Sequence, residues 1–157
     1  MTNKKIVTGY TTGVFDLFHI GHLNVIRYAK SMCDRLIVGV TSDELSAELK
    51  GKSPIMPYNE RFEIIQSLKF VDLVVPETLD DKIKAWEELK FDLIFKGDDW
   101  KGTEKWNILE DKFRKIDVKV IFYPYTMNIS STIIRRILKE RITEKTNTLD
   151  NQFTSML

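Results

Sequence analysis

Residues 13–22 read Gly-Val-Phe-Asp-Leu-Phe-His-Ile-Gly-His, and both histidines of the chain, His19 and His22, fall within this run. A β-like stretch, residues 5–10, precedes the run, and an amphipathic stretch, residues 23–30, follows it. This order predicts a strand, a glycine-containing turn and a helix that begins near the histidines. Helix N-termini attract anions through free N–H groups and the helix dipole, and imidazoles add donors for phosphoryl oxygens. The run therefore predicts a phosphate-binding site.

Two other phosphate-binding motifs are excluded by the sequence. Residues 50–53 read Lys-Gly-Lys-Ser and resemble the end of a P-loop, but Ser46 stands where that motif requires its first glycine. The sequence also contains no G-x-G-x-x-G. The histidine run is the remaining candidate.

Length and composition indicate one globular domain. The chain has 157 residues, 43% of them hydrophobic, which is enough for a sizeable core. Its 24 Lys and Arg residues nearly balance 23 Asp and Glu residues, so no basic field points to nucleic acid or an anionic membrane. The sequence has no signal-like N-terminal segment and no apolar run of roughly 20 residues. We expect a cytoplasmic protein.

Short apolar runs alternate with amphipathic stretches along the chain. Strands are predicted over residues 6–10, 36–40, 73–75, 93–95 and 118–122. Helices are predicted over residues 21–31, 59–68, 80–89, 104–115 and 131–140, with Asn59 capping the second and Ser130 or Ser131 the last. The alternation predicts a Rossmann-like, doubly wound α/β fold: a parallel five-stranded sheet with helices on both faces.

Ligands of such sheets bind beyond the carboxyl ends of the strands, where the strand order switches. The histidine run follows the first predicted strand, and residues 96–100 follow the fourth, so both should lie at that rim. We expect residues 49–58 to form a loop from which Lys50 and Lys52 project, either into the cleft or into solvent. Residues 1–138 are predicted to form the domain, and residues 139–157 a helix end with a loose polar tail.

The histidine run resembles the G-x-F-D-x-x-H-x-G-H signature of the HxGH nucleotidyltransferases. The resemblance continues, in order, through residues 59–61 (Asn-Glu-Arg), 70–77 (Phe-Val-Asp-Leu-Val-Val-Pro-Glu), 97–100 (Gly-Asp-Asp-Trp) and 129–132 (Ile-Ser-Ser-Thr). These five motifs are most similar to the cytidylyltransferase branch. Gly-Asp-Asp-Trp looks most like the members of that branch that act on glycerol 3-phosphate.

The resemblance implies an enzyme that condenses CTP with a phosphorylated alcohol, best guessed as glycerol 3-phosphate, and releases pyrophosphate with the help of Mg²⁺. The implied catalytic residues are His19, His22, Lys50 and Lys52. The implied nucleotide-binding residues are Val14, Phe15, Asp16, Gly21, Arg61, Gly97, Asp98, Asp99, Trp100, Ile129, Ser130, Ser131 and Thr132. The implied acceptor-binding residues are Lys52, Tyr125 and Arg135, and Asp16 is the implied metal ligand.

Several of these residues have a structural alternative. Asp16 could simply cap its turn, and Arg61 could form an ion pair on a helix surface with Glu60 or Glu63. Trp100 could belong to the core, since tryptophans are usually well buried.

The last motif departs from the family pattern R-T-x-G-I-S-T-T. Tyr125 replaces its arginine and Asn128 its glycine, so one fixed positive charge is missing. Arg135 or Arg136, about one helical turn later, could compensate.

Other functions remain open. Phosphocholine or phosphoethanolamine could replace glycerol 3-phosphate, with Trp106, Tyr123 and Tyr125 forming a cage for a cationic head. Residues 129–135 also resemble adenylyltransferases of the same superfamily. A nucleotide-binding regulatory module is the non-enzymatic alternative. An aminoacyl-tRNA synthetase is excluded because the chain has no K-M-S-K-S-like loop and no basic surplus. Residues 70–76 resemble a family element that lies at a dimer interface, which implies a homodimer.

Overall fold

The computed structural model describes residues 5–124, 126–127 and 129–154, with side chains described up to residue 143. Five parallel strands form one sheet in the order β3-β2-β1-β4-β5. The strands are β1 (Thr8–Gly13), β2 (Arg35–Thr41), β3 (Leu73–Glu77), β4 (Leu93–Gly97) and β5 (Lys119–Tyr123). The chain therefore winds outward from β1 to one edge and then crosses β1 to build the other half. The predicted doubly wound parallel sheet is confirmed.

Within the described residues, six α-helices connect and cover the strands. They are α1 (Ile20–Ser31), α2 (Asp43–Lys50), α3 (Tyr58–Gln66), α4 (Lys82–Leu89), α5 (Glu104–Arg114) and α6 (Ser131–Thr154). One face of the sheet packs against α1 and α3 through residues such as Ile26 and Ile65, which are fully buried. The other face packs against α4 and α5 through residues such as Trp106 and Phe113. Apolar side chains on both faces of the sheet explain the short, continuous apolar runs of the sequence.

The largest difference from the prediction is the helix α2, which the sequence analysis placed partly in a loop. Ser42 caps it, because its hydroxyl oxygen accepts a hydrogen bond from the N–H of Leu45 at 3.1 Å. Gly51 ends it in the left-handed conformation, with φ of 66°. The predicted loop is therefore restricted to the residues after Lys50.

Smaller corrections concern the ends of elements. The strand β1 runs from Thr8 to Gly13, three residues beyond the predicted end, because the threonines at its end continue the parallel pairing with β2. Asn59 is not the cap of α3, which begins one residue earlier after Pro57. Ser130 is confirmed as a cap of α6, since its hydroxyl accepts a hydrogen bond from the N–H of Ile133 at 3.1 Å. The helix α6 continues to Thr154, well past the predicted end.

Candidate functional site

The site lies at the carboxyl ends of β1 and β4, the two adjacent strands at which the order of the sheet switches. The loop after β1 carries the histidine run, and a short 3₁₀ helix, Asp98–Trp100, follows β4. Open parallel sheets bind their ligands at this position because the two loops diverge there and leave a crevice. The predicted placement of both segments is confirmed.

The two histidines stack on each other at the start of α1. Their ring centroids are 3.9 Å apart and the rings are tilted by 24°. His19 is the N-cap of α1: its Nδ1 accepts a hydrogen bond from the N–H of Gly21 at 3.1 Å, which places the proton of a neutral His19 on Nε2. His19 Nε2 and His22 Nδ1 are buried and have no hydrogen-bond partner among the described residues.

Burial lowers the pKa of His19. Burial, followed by the charges of His19 and Lys50, lowers the pKa of His22 to about 3. Both rings are therefore neutral near pH 7 in the ligand-free protein. A bound polyphosphate would favour the charged form of both and raise these pKa values.

Gly21 is needed for this arrangement of the histidines. A Cβ atom at this position would lie 2.8 Å from His19 Cε1 and 2.9 Å from His19 Nδ1. The missing side chain thus lets the His19 ring fold back onto the first turn of α1. Gly21, an implied nucleotide-binding residue, also lines the histidine cavity described below.

The loop that carries the histidines is anchored by Asp16. Its carboxylate accepts hydrogen bonds from the N–H groups of Ile55 and Met56, the latter at 2.9 Å, and pairs with Arg135 of α6. The Ser131 hydroxyl donates to the Asp16 carbonyl at 2.5 Å. Burial alone would raise the pKa of the Asp16 carboxyl, but these hydrogen bonds and Arg135 lower it below its usual range. Asp16 therefore holds three segments of the site together.

The backbone on either side of Asp16 is strained. Phe15 and Leu17 have φ values of 55° and 50°, in the left-handed region that residues with a side chain rarely adopt. Such strain persists only where surrounding contacts fix the conformation, and it is frequent at active sites. The partners of Asp16 supply those contacts here.

Arg61 lies beneath this loop and is fully buried. Its Nη1 donates hydrogen bonds to the carbonyls of Val14 at 2.5 Å and Thr41 at 2.8 Å. Its Nε donates to the carbonyl of Met56 at 3.0 Å, and its Nη2 pairs with Asp43 at 2.7 Å. The surface ion pair with a neighbouring glutamate, which the sequence left open, is therefore wrong. Four of the five guanidinium donors are used on the protein, so Arg61 fixes the ends of β1 and β2.

A first space, here called the central cavity, has a volume of about 580 Å³. It brings together these predicted residues: Val14, Phe15, Asp16, His22, Lys50, Lys52, Ser131, Thr132 and Arg135. Lysines from the end of α2 and its loop thus face the N-terminus of α6 across the space. Because Arg135 is paired with Asp16, the two lysines give this cavity its surplus of positive charge, which suits the phosphates of a nucleotide.

A second space, here called the histidine cavity, has a volume of about 260 Å³. Its lining includes His19, Gly21, His22, Gly97, Asp99, Trp100, Ile129, Ser130, Ser131 and Thr132. Trp100 is 40% exposed and presents its ring to this cavity, so the core alternative for this residue is wrong. Asp98 is exposed and is not part of the lining.

A third space, here called the lysine cavity, has a volume of about 430 Å³ and lies on the α4 and α5 side of the sheet. Lys50, Lys82, Lys96 and Lys105 line it. The sequence analysis assigned no role to Lys96, although it follows a buried apolar run at the carboxyl end of β4. A charged residue at that position of a parallel strand is a usable signal for a site, because strand ends there face the crevice.

The structure does not test two of the predicted roles, those of Tyr125 in acceptor binding and of Asp16 in metal binding. Tyr125, a predicted acceptor-binding residue, and Asn128 lie outside the described residues. Asp16 remains only a predicted metal ligand, and both of its carboxylate oxygens already accept hydrogen bonds. Among the described residues, no group of three or more His, Cys, Asp or Glu side chains is placed to hold a metal ion.

None of the helices in the part of the chain that the structure describes combines the length and the apolar composition of a membrane span.

A doubly wound parallel sheet with imidazoles and ammonium groups at its switch point defines a nucleotide-binding enzyme. The family model described as cytidylyltransferase-like matches residues 10–137. The chain belongs to this family and is a nucleotidyltransferase, which sets aside the non-enzymatic alternative.

Several relatives are similar over most of the chain. Glycerol-3-phosphate cytidylyltransferase of Bacillus subtilis is 34% identical over 84% of this chain and 95% of its own length. FAD synthase of Pyrococcus abyssi is 35% identical over 88% of this chain and 93% of its own length. The crystal structure of a lipopolysaccharide core biosynthesis protein from Thermoplasma volcanium is 33% identical. It covers 78% of this chain and 98% of its own, with a TM-score of 0.65.

Proposed function

We propose that the protein transfers the cytidylyl group of CTP to the phosphate of a small phosphorylated alcohol, with glycerol 3-phosphate as the leading candidate. The observation that carries this proposal is the pair of buried ring nitrogens at the switch point of the sheet, His19 Nε2 and His22 Nδ1, for which the described residues supply no hydrogen-bond partner. A buried polar atom without a partner is unfavourable, so it indicates a site where a ligand supplies the missing hydrogen bond.

In the proposed reaction, an oxygen of the acceptor phosphate forms a bond to the α-phosphorus of CTP. The bond between that phosphorus and the bridging oxygen to the β-phosphorus breaks, and its electron pair leaves with pyrophosphate. Such an in-line transfer requires positioning and charge stabilisation and no covalent enzyme intermediate. His19 and His22 would hydrogen-bond the transferring group, and Lys50 and Lys52 would neutralise the departing pyrophosphate.

The described residues do not fit a resident magnesium ion. The oxygens of Asp16 in the central cavity are used by backbone N–H groups and Arg135. Asp99 in the histidine cavity belongs to no group of three or more ligating side chains among the described residues. Mg²⁺ commonly binds through substrate phosphates and water with few protein ligands. Any Mg²⁺ that the reaction uses would therefore enter bound to the triphosphate.

The choice of glycerol 3-phosphate rests on the family and on the relative in Bacillus subtilis. Arg135 lines the central cavity at the start of α6 and pairs there with Asp16, so Lys50 and Lys52 supply the positive charge that remains for substrate phosphates. Trp106 is 2% exposed, and its ring lines the lysine cavity. Tyr123 lines the two other cavities, so these two aromatic residues do not share one space that could serve as a cage for a cationic head.

A second candidate is transfer of the adenylyl group of ATP to a flavin phosphate. The relative from Pyrococcus abyssi, named FAD synthase, is as similar to the chain as the cytidylyltransferase is. FAD contains an adenylyl group joined to the phosphate of FMN, so its formation needs the same phosphate-to-phosphate attack. Residues 129–135 support this candidate, and Gly97–Trp100 support the first.

We also propose that the protein forms a homodimer through residues 70–76 and functions in the cytoplasm. β3 is an edge strand of the sheet, and Leu73 at its start is 36% exposed, which leaves this edge open to a second copy. Sedimentation of the wild type and of Leu73→Lys tests the dimer: the wild type should sediment as a dimer and the variant as a monomer. A monomeric wild type would contradict it.

The experiment that tests the proposed function is pyrophosphate release with Mg²⁺, using CTP or ATP against glycerol 3-phosphate, phosphocholine, phosphoethanolamine and FMN. Turnover with CTP and glycerol 3-phosphate is the expected result. Turnover with ATP and FMN would establish the second candidate instead. Turnover with CTP and an aminoalcohol phosphate would change the acceptor only, and turnover with no pair would contradict both candidates.

A further inference from the structure

Lys96 lies between two of the three cavities. It is the penultimate residue of β4, and its side chain lines both the histidine cavity and the lysine cavity. Its Nζ lies 4.6 Å from the centroid of the Trp100 ring and 5.7 Å from that of the Trp106 ring. A cation over two aromatic faces is held at this junction without an ion pair.

The carboxylates that face the lysine cavity are already occupied. Glu77 accepts a hydrogen bond from the Thr41 hydroxyl at 2.6 Å and pairs with Lys82 at 2.5 Å. Asp80 pairs with Lys82 at 2.9 Å and also with Lys105. These contacts neutralise the two carboxylates with two lysines of the same cavity.

Lys96 has no such partner: among the described residues it makes no ion pair and no hydrogen bond through its ammonium group. Burial, assisted by the charge of Lys82, lowers the pKa of Lys96 to about 8, although Glu77 and Asp99 act in the opposite direction. The side chain is therefore mostly charged at pH 7. A largely buried ammonium without an anionic partner is unfavourable, so an anion bound at this position would be stabilised.

We propose that Lys96 binds the phosphate of the acceptor, which occupies the lysine cavity. This inference rests on the proposed function. The acceptor phosphate must stand next to the α-phosphate that His19 and His22 hold, and Lys96 lies at the boundary between the two cavities concerned. Lys96 keeps its proton throughout the reaction: it attracts and orients the attacking phosphate, while the bonds change at the α-phosphorus.

The inference also narrows the class of acceptor. With Glu77 and Asp80 neutralised, the charged groups of the lysine cavity that pair with no described residue are the ammonium groups of Lys96 and Lys50. A quaternary or primary ammonium head would be repelled there, because no free carboxylate faces it. The cavity therefore suits an acceptor whose phosphate is attached to a neutral polyol or to another uncharged alcohol.

The test compares Lys96→Met with Lys96→Arg in steady-state pyrophosphate release, with glycerol 3-phosphate as the acceptor. Loss of a hydrogen bond to a charged group should raise the KM for the acceptor about tenfold to a hundredfold in Lys96→Met. The KM for CTP should stay within about twofold, since both nucleotide-facing histidines are intact. Lys96→Arg should recover part of the loss because it keeps the charge.

Lys101→Met is the matched control. Lys101 is exposed next to the same 3₁₀ helix and does not line the three cavities, so its replacement should leave both KM values unchanged. Lys96→Met removes an unpartnered buried charge, so its melting temperature should equal or exceed that of the wild type. If Lys96→Met does not fold, Lys96→Gln serves as the second variant in the same measurement.

The outcomes separate this inference from the proposed function. A wild type that is active, with an unchanged KM for the acceptor in a folded Lys96→Met, would overturn the role of Lys96 alone. A rise confined to the KM for CTP would assign Lys96 to the nucleotide and also overturn the inference. A wild type inactive with every acceptor would overturn the proposed function, and the inference with it.

Discussion

Two regions that meet at the loop after β1 differ in whether their polar atoms have partners. In the first, here called the clamp and formed by Asp16, Arg61 and Arg135, other parts of the protein use both carboxylate oxygens of Asp16 and four of the five donors of Arg61, and Arg135 pairs with Asp16. In the second, the histidine pair His19 and His22, each ring has a buried nitrogen that no described residue hydrogen-bonds. Polar groups that have partners within the protein hold a site in position, whereas buried polar groups without such partners bind its ligand. The clamp should therefore govern stability, and the histidine pair should govern turnover.

The largest effect should come from breaking the clamp at Arg61. Arg61→Met leaves one buried carbonyl, two partly buried carbonyls and Asp43 without their donor, which should lower the free energy of unfolding by about 3–5 kcal/mol. Chemical denaturation measures this change. Arg114→Met is the matched control because Arg114 forms an exposed ion pair, and its effect should stay within about 0.5 kcal/mol. Equal effects of the two variants would contradict a buried role for Arg61.

Substitutions in the histidine pair should reduce turnover much more than stability. His22→Ala removes a donor from the transferring phosphate, and kcat should fall by about 10²–10³-fold, as for loss of an oxyanion-hole donor. His19→Ala should have a similar effect on kcat and also lose the cap of α1, worth about 1 kcal/mol. Ser31→Ala, at the far end of the same helix, is the control. Titration calorimetry with CTP should show that binding largely survives, and an unchanged kcat would refute the catalytic assignment.

A moderate effect on stability is expected at Asp16, the carboxylate of the clamp. Asp16→Asn keeps the shape of the side chain but turns an acceptor toward Arg135 into a donor, which should lower the free energy of unfolding by about 1–3 kcal/mol. Asp111→Asn, in an exposed pair with Arg114, is the control and should have little effect. Because the pKa of Asp16 is lowered in the folded protein, its contribution should be present at pH 7 and lost as the pH falls below about 4.

The last effect, which is confined to acidic pH, is the acid sensitivity that the histidine pair introduces. The pKa of His22 is about 3 in the folded protein and about 6.5 when unfolded, so below pH 6.5 the unfolded state binds more protons. The free energy of unfolding should therefore decrease as the pH falls from 6.5, by up to about 1.4 kcal/mol per pH unit. His22→Gln should flatten this dependence in thermal unfolding followed from pH 6.5 to 4.5. Parallel curves for the two proteins would contradict the lowered pKa.

The comparison also separates what the sequence could predict from what it could not. The alternation of apolar and amphipathic runs was enough to predict the parallel sheet. The position of the motifs after the strands was enough to predict the edge of the sheet at which their side chains meet. The helix α2 was missed because it is short and follows β2 directly, although Ser42, Asp43 and Gly51 are ordinary capping signals.

The role of each side chain was harder to predict than its place. Asp16 and Arg61 were assigned to the nucleotide, but their partners are backbone groups and side chains of other segments, which no local pattern reveals. Lys96 went unassigned because its importance depends on Glu77 and Asp80 being neutralised by other lysines. Hydrogen-bond partners can be assigned only in the folded structure, whereas periodicity and the order of motifs are visible in the sequence.

The most direct test of the central claim uses the fact that His19 and His22 are the only histidines of the chain. A long-range ¹H–¹⁵N spectrum of the imidazoles therefore reports on the pair alone. The account predicts that saturating CTP shifts the signals of His19 Nε2 and His22 Nδ1 and raises the pKa of at least one ring, because a triphosphate supplies the missing acceptors. Unchanged signals in a sample that calorimetry shows to be saturated with CTP would contradict the claim that this pair binds the reacting phosphates.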